Sequence, residues 1–138
     1  MRISAQIHNQ AGQHEVRLTT NEQSHALAIP PKPTGFGSSA NGGELLFLAL
    51  ATCYCNDIYR EAEKRSIRVQ SVEVTVEGDF GAPGEPARNV AYRARVIAQA
   101  SEDAIRALMQ QTDQVAEIQN TLRSATPVTL AQLDAVSI

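Results

Sequence analysis

The chain has 138 residues, a formal net charge of −3 at pH 7 and 43% hydrophobic residues. This length and apolar content predict one globular domain over residues 1–138 and exclude a largely disordered chain. The acidic balance, the lack of any basic run and the lack of tryptophan argue against a nucleic-acid-binding protein.

Cysteine usage and the N-terminal sequence predict a cytoplasmic protein. The two cysteines, Cys53 and Cys55, are too few and too close for the disulfide framework of a secreted scaffold. Residues 1–8 alternate between apolar and polar types, so no signal peptide is expected. The longest apolar run, residues 45–51, is far shorter than the ~20 residues of a membrane span, and no membrane partner is expected.

Alternating apolar and polar residues predict a meander of strands in the first 30 residues. Turns are expected at residues 9–12 and 21–22, and the meander is expected to close at 26–29. Residues 30–39 contain three prolines and two glycines, which predicts a loop.

A helix of about 24 residues is expected after Asn41, which is a plausible N-cap. Its first half, residues 44–55, is apolar nearly all round, and such a helix must be enclosed on every side. The other strands and helices predicted for this chain are too few to cover the apolar helix on every side. We therefore expect a homodimer in which a second subunit completes it.

The rest of the chain predicts a strand at 69–77, a Gly/Pro turn, a return strand at 89–100 and a helix at 102–116. A further helical turn is expected at 120–123, and a last strand at 126–130, where Pro127 indicates an edge or a strand start. Because strands and helices are grouped rather than strictly alternating, the fold class is α+β.

The two cysteines are the most versatile side chains of the long helix. Residues two apart project about 200° apart on a helix, so Cys53 and Cys55 are not expected to bond each other or to share a metal ion. Cys55 aligns with the residues that we interpret as the core stripe, Leu48, Ala51, Ile58, Tyr59 and Ala62. Cys53 aligns with Ala49 and Leu50, and its face turns polar one turn further on, so it is the better nucleophile. Buried packing remains the alternative for both thiols.

Other polar residues carry weaker signals. Asp57 and Arg60 lie beside the Cys53 face, and a solvated ion pair is the simplest interpretation. Glu44, in the first helical turn, complements the helix dipole; the alternative is that it orients a cationic partner near the thiol. No phosphate-loop motif or metal-ligand spacing is present, so no cofactor and no metal is expected.

Residues 39–53 resemble the N-P-E-E-L-L-x-x-A-x-A-x-C segment of the OsmC/Ohr family. Residues 120–122 followed by 127–128 resemble the tail of its C-P-x-S-N-T-L segment, and the order of elements agrees over nearly the whole chain. The resemblance implies an OsmC-like α+β fold. Two chains would form an intertwined homodimer with long central helices enclosed by antiparallel sheets.

The resemblance also implies thiol-dependent reduction of organic hydroperoxides by a peroxidatic cysteine, a resolving cysteine, a glutamate and an arginine. Cys53 falls on the peroxidatic position, but Ala116 replaces the resolving cysteine. Glu44 is the neighbour of the glutamate position, and Arg17 is the candidate for the arginine.

Two functions from different classes remain open. One is a one-Cys hydroperoxide reductase that uses Cys53 and an external thiol reductant in oxidative-stress defence. The alternative is a non-catalytic OsmC-like dimer that binds an apolar small molecule at the subunit interface.

Overall fold

Three antiparallel strands begin the chain. The computed structural model describes residues 1–138, and the chain divides into two compact units, Met1–Leu46 and Phe47–Ile138. In the first unit β1 (Ile3–Gln10), β2 (Gln13–Thr20) and β3 (Gln23–Ala26) form one sheet in that order. The predicted closing strand at 26–29 is wrong, because β3 starts three residues earlier.

The tight turn before β3 explains this shift. Asn21 and Glu22 have φ values of 47° and 71°, and positive φ at both central residues is the requirement of a type I′ hairpin turn. Such a two-residue turn lets Gln23 pair directly with Thr20. β3 therefore ends at Ala26, before the proline-rich segment begins.

The long helix α1 (Gly42–Lys64) confirms the predicted helix and its N-cap. The Asn41 side-chain oxygen accepts from the Glu44 backbone N–H at 2.9 Å, and a Glu44 carboxylate oxygen accepts from the Asn41 N–H at 2.7 Å. These reciprocal bonds form a capping box that satisfies two free donors of the helix start. At the other end Ser66 has a left-handed backbone conformation with φ of 54°, which ends the helix. The Ile67 N–H then donates a hydrogen bond to the Ala62 carbonyl.

The core of the second unit lies between α1, α2 (Glu102–Val115) and a long hairpin. The hairpin pairs β4 (Arg68–Asp79) with β5 (Arg88–Gln99). Tyr54, Ile58 and Ala62 of α1 form the buried centre with Leu108 of α2. One face of the hairpin packs on this centre through alternating apolar residues, among them Val69, Val72, Val74, Tyr92, Ala94 and Val96.

The last element is a short helix, α3 (Glu117–Arg123), which agrees with the predicted helical turn. Ala116 separates it from α2 with extended dihedrals and is fully buried. The strand predicted at 126–130 is wrong: residues 126–138 form neither helix nor strand. No strand edge within the chain pairs with this segment, and Pro127 has no N–H to offer to one.

The mixed architecture, with three helices and antiparallel sheets, confirms the α+β class. The single domain over 1–138 stays a prediction. None of the three helices combines the length and the apolar character that crossing a membrane requires. The α1 helix is not enclosed within the chain itself, because Leu48 is 57% exposed and Tyr59 is 46% exposed.

Candidate functional site

The Cys53 thiol lies among polar groups where α3 meets α1. Its Sγ is 3.5 Å from Oδ2 of Asp57, one turn further along α1, and 3.8 Å from Oε2 of Glu117 on α3. The thiol is half-buried rather than enclosed. The prediction that the Cys53 face turns towards polar groups is therefore confirmed.

One guanidinium links the two carboxylates beside the thiol. Arg60 Nη1 is 2.9 Å from Oδ1 of Asp57 and 3.3 Å from Oε1 of Glu117. The predicted solvated ion pair is wrong for the acidic partner, since Asp57 is only 5% exposed. A buried carboxylate needs a partner to stay charged, and Arg60 supplies one. We call Cys53, Asp57, Arg60 and Glu117 the thiol cluster.

A buried amide fixes the position of α3 and so of Glu117. Gln119, which is 4% exposed, donates from Nε2 to the Leu50 carbonyl at 3.0 Å. Leu50 lies just under one turn before Cys53 on α1. The bond holds the start of α3 against the part of α1 that carries the thiol.

The surroundings of the thiol favour its protonated form. Burial raises the pKa of Cys53, and the nearby charges of Asp57 and Glu117 raise it further. A hydrogen bond from the Ile118 backbone N–H acts in the opposite direction. The net pKa is raised, so Cys53 is mainly a thiol and not a thiolate at neutral pH.

The two carboxylates differ in their affinity for a proton. Burial, together with the charge of Glu117, raises the pKa of Asp57, and Arg60 only partly offsets this. The pKa of Glu117 is lowered by its own backbone N–H and by Arg60. Asp57 is thus the carboxylate of the pair that takes up a proton more readily.

Cys55 lies in a different environment. It is half-buried and lines a shallow depression of about 260 Å³ with Ala51, Thr52, Asn56 and Val74. The predicted core stripe is confirmed at Ile58 and Ala62, which are buried. It is wrong at Leu48 and Tyr59, which are exposed, because the buried stripe of α1 runs through Leu50, Tyr54, Ile58 and Ala62.

The weaker candidates lie outside the thiol cluster. Glu44 belongs to the capping box of α1, where its carboxylate accepts from the Asn41 N–H. Arg17 is an exposed residue of β2 and pairs with Gln6 and Ala26 in the N-terminal sheet. The roles of both residues in catalysis stay predictions.

The thiol cluster also bears on metal binding. Three atoms that could bind a metal ion, the Cys53 sulfur and one carboxylate oxygen from each of Asp57 and Glu117, lie within 4.8 Å of one another. The guanidinium of Arg60 already contacts both carboxylates, and a metal ion would have to compete with it. The arrangement is an ion-pair cluster beside a thiol, with one more negative than positive charge when both carboxylates are ionised.

The sequence interpretation missed Glu117 as a site residue. Helical spacing alone brings Asp57 and Arg60 near Cys53, but Glu117 is 64 positions away. The usable signal was its place directly after Ala116, the position that the resemblance assigns to the resolving cysteine. A residue next to that position is expected to approach Cys53.

The comparisons with known proteins concern the family and the fold of the chain. A family model described as OsmC-like protein matches residues 35–131, which is more than half of the chain. No curated protein matches the sequence.

Solved structures share the fold over most of the chain. An OsmC-like protein from Mycoplasma pneumoniae has a TM-score of 0.61 at 17% identity, with 89% of each chain covered. An organic hydroperoxide resistance protein OsmC from Legionella pneumophila has a TM-score of 0.58 at 21% identity, covering 89% of this chain and 90% of that one. An OsmC-like protein of unknown function from Vibrio cholerae has a TM-score of 0.60 at 14% identity, covering 88% and 93%. With the family match over residues 35–131, the chain belongs to the OsmC-like protein family.

Proposed function

We propose that the protein is a thiol-dependent reductase of organic hydroperoxides in which Cys53 is the peroxidatic residue. The observation that carries the proposal is the position of this thiol. It is half-buried, sits at the junction of α1 and α3, and has two carboxylates and a backbone N–H as neighbours. Reactive thiols are partly exposed, as Cys53 is, whereas buried structural cysteines are inert.

Family membership supports the same chemistry. The Legionella pneumophila structure that shares the fold is named an organic hydroperoxide resistance protein and a predicted redox protein. A sequence identity of 21% to that structure supports a shared fold but does not establish a shared activity. The activity of this chain is therefore argued from Cys53 itself.

The proposed reaction uses one cysteine. The Cys53 sulfur attacks the terminal oxygen of a hydroperoxide, the O–O bond breaks, and the products are a sulfenic acid and an alcohol. Because Ala116 stands at the resolving position, an external thiol must attack the sulfenic acid and release water. A second equivalent of thiol then restores Cys53 and leaves as a disulfide. A reducing cytoplasm would supply such a thiol, and the physiological role would be defence against oxidative stress.

We further propose that the working form is a homodimer. Leu48 and Tyr59 are large apolar residues that the chain leaves exposed along α1. A second copy that covers α1 would remove these side chains from water, which is favourable in proportion to the apolar area buried. Sedimentation equilibrium at micromolar concentration tests this: a dimer is expected, and a stable monomer would contradict it.

A non-catalytic dimer that holds an apolar small molecule at the subunit interface is the second candidate. The same exposed side chains of α1 favour it, since an interface lined by Leu48 and Tyr59 would offer an apolar surface. The raised pKa of the Cys53 thiol also favours this candidate, because a protonated thiol is a poor nucleophile.

Turnover with matched cysteine variants separates the two candidates. Cumene hydroperoxide consumption is followed with dithiothreitol as reductant for the wild type, Cys53→Ser and Cys55→Ser. The proposal predicts catalytic consumption by the wild type and by Cys55→Ser, and background consumption by Cys53→Ser. Background rates for all three proteins, while each remains folded and dimeric, would favour the binding protein.

A further inference from the structure

Asp57 is the group best placed to exchange a proton with the reacting sulfur. Its Oδ2 is 3.5 Å from the Cys53 Sγ, which is within the range of a hydrogen bond from sulfur, and the contact is made within one turn of α1. The resemblance to the family does not assign a role to this position. The inference below rests on the proposed peroxide chemistry of Cys53.

The reaction creates a need for such a group. A thiol must lose a proton to become a nucleophile, and the departing alkoxide must gain one. Because the pKa of the Cys53 thiol is raised, the thiol keeps its proton at neutral pH and the reaction must remove it. A single carboxylate beside the sulfur can serve both transfers.

We propose that Asp57 is the acid–base residue of the hydroperoxide reaction, with Arg60 as its positioning residue. Asp57 accepts the proton of the Cys53 S–H as the sulfur attacks the terminal peroxide oxygen. The O–O bond breaks, its electron pair leaves with the alkoxide, and Asp57 returns the proton to that alkoxide. Cys–SH and ROOH become Cys–SOH and ROH, with no other reactant.

Three groups face Asp57 and determine whether it can act in this way. Cys53 and Arg60 belong to α1, and Glu117 comes from α3. Arg60, at 2.9 Å, holds the carboxylate in place without contacting the sulfur. The pKa of Asp57 is raised, chiefly by burial, whereas that of Glu117 is lowered, so Asp57 is the better proton acceptor of the two carboxylates beside the sulfur.

Glu117 is less suited to the role, although its carboxylate is also near the sulfur. Its Oε2 is 3.8 Å from Sγ, and its side chain is 64% exposed. Its pKa is lowered, so it holds a proton poorly. This makes Glu117 a matched control for Asp57, because both place a negative charge beside the same sulfur.

The test compares two reactions of Cys53 in a Cys55→Ser background. Alkylation by iodoacetamide needs only a thiolate, since iodide leaves without a proton. Reduction of cumene hydroperoxide needs a thiolate and a proton donor. In Asp57→Asn the lost charge lowers the thiol pKa, so alkylation near pH 7 is expected to rise about threefold. Oxidation by hydroperoxide is expected to fall about 100-fold because the proton carrier is gone.

Glu117→Gln removes the other charge and keeps Asp57. Alkylation and hydroperoxide oxidation are then both expected to rise. If Asp57→Asn also speeds both reactions, Asp57 acts only through its charge and the inference is wrong, while the peroxidase proposal stands. If the wild type does not react with hydroperoxide while alkylation of Cys53 proceeds, the proposed function fails and the inference with it.

A pH profile of the wild type keeps the test decisive if Asp57→Asn does not fold. If the reacting form is a protonated Cys53 thiol beside an ionised Asp57, the rate constant for oxidation by hydroperoxide does not change between about pH 6 and about pH 9. A thiolate mechanism without Asp57 predicts a rise of about tenfold per pH unit over the same range. The level profile would support the inference, and the rising one would overturn it.

Discussion

Glu117 places its Oε2 3.8 Å from the Sγ of Cys53, although the two residues are 64 positions apart in the chain. Asp57 lies against the same sulfur, and the single positive charge of Arg60 offsets only part of the negative charge of the two acids. The thiol therefore lies in a locally negative field. This charge governs which reagents approach it.

Cys53 is expected to discriminate against anionic reagents. Neutral iodoacetamide should react with Cys53 faster than anionic iodoacetate, by a larger ratio than for Cys55, which lacks this carboxylate pair. Glu117→Gln should reduce the ratio at Cys53 about threefold, because one unit charge near the sulfur is removed. Peptide mass spectrometry after timed quenching measures both sites. Equal ratios at the two cysteines would contradict the proposed field.

Alkylation of Cys53 should depend on pH in a way that reveals its raised pKa. The thiolate fraction of a group with a raised pKa is smaller at neutral pH and continues to grow at pH values where an ordinary thiol has levelled off. In a Cys55→Ser background, the iodoacetamide rate of the folded protein should therefore level off at higher pH than that of the same chain unfolded in urea. A folded-state profile shifted towards lower pH would show that the Ile118 N–H outweighs burial and the two carboxylates.

Glu44 is expected to stabilise the helix and not to serve the reaction. Because its carboxylate closes the capping box with Asn41, Glu44→Ala should lower the free energy of unfolding by about 0.5–1 kcal/mol. Urea unfolding measures this loss, and Asn41→Ala serves as the matched variant. The rate of Cys53 oxidation by cumene hydroperoxide should stay unchanged in both variants. A large loss of that rate in Glu44→Ala alone would instead give Glu44 the role of the family glutamate.

The Ala116 position can be tested as the site of the absent resolving cysteine. Ala116 directly precedes Glu117, whose carboxylate reaches the Cys53 sulfur, so a thiol at this position is expected to come close to Cys53. In Ala116→Cys, one equivalent of hydroperoxide should give a sulfenic acid that condenses to an intramolecular disulfide with release of water. Non-reducing peptide mapping detects the bond. A folded variant that is oxidised at Cys53 but never forms the bond would show that the family alignment is shifted here.

The sequence predicted those parts of the structure that depend on local patterns. Helical spacing correctly placed Asp57 and Arg60 near Cys53, and Asn41 was recognised as an N-cap from its residue type and position. Periodicity also located β4, β5 and α2 to within about two residues at each end.

Tertiary contacts explain what the sequence did not predict. The burial of Asp57 and the approach of Glu117 depend on how α3 docks on α1 through Gln119, which no local pattern encodes. The predicted core stripe of α1 correctly included Ile58 and Ala62 but missed Tyr54, because the first half of the helix is apolar all round and periodicity could not select Tyr54 over its neighbours. The strand expected around Pro127 lacked a partner edge within the chain.

Direct identification of the oxidised residue tests the central claim, that Cys53 is the peroxidatic thiol. The wild-type protein is treated with one equivalent of cumene hydroperoxide in the presence of dimedone, digested, and analysed by tandem mass spectrometry. We expect a dimedone adduct on Cys53, little or none on Cys55, and no Cys53–Cys55 disulfide, since the two side chains diverge on a continuous helix. An adduct on Cys55 alone, or no oxidation of either cysteine in the folded protein, would contradict it.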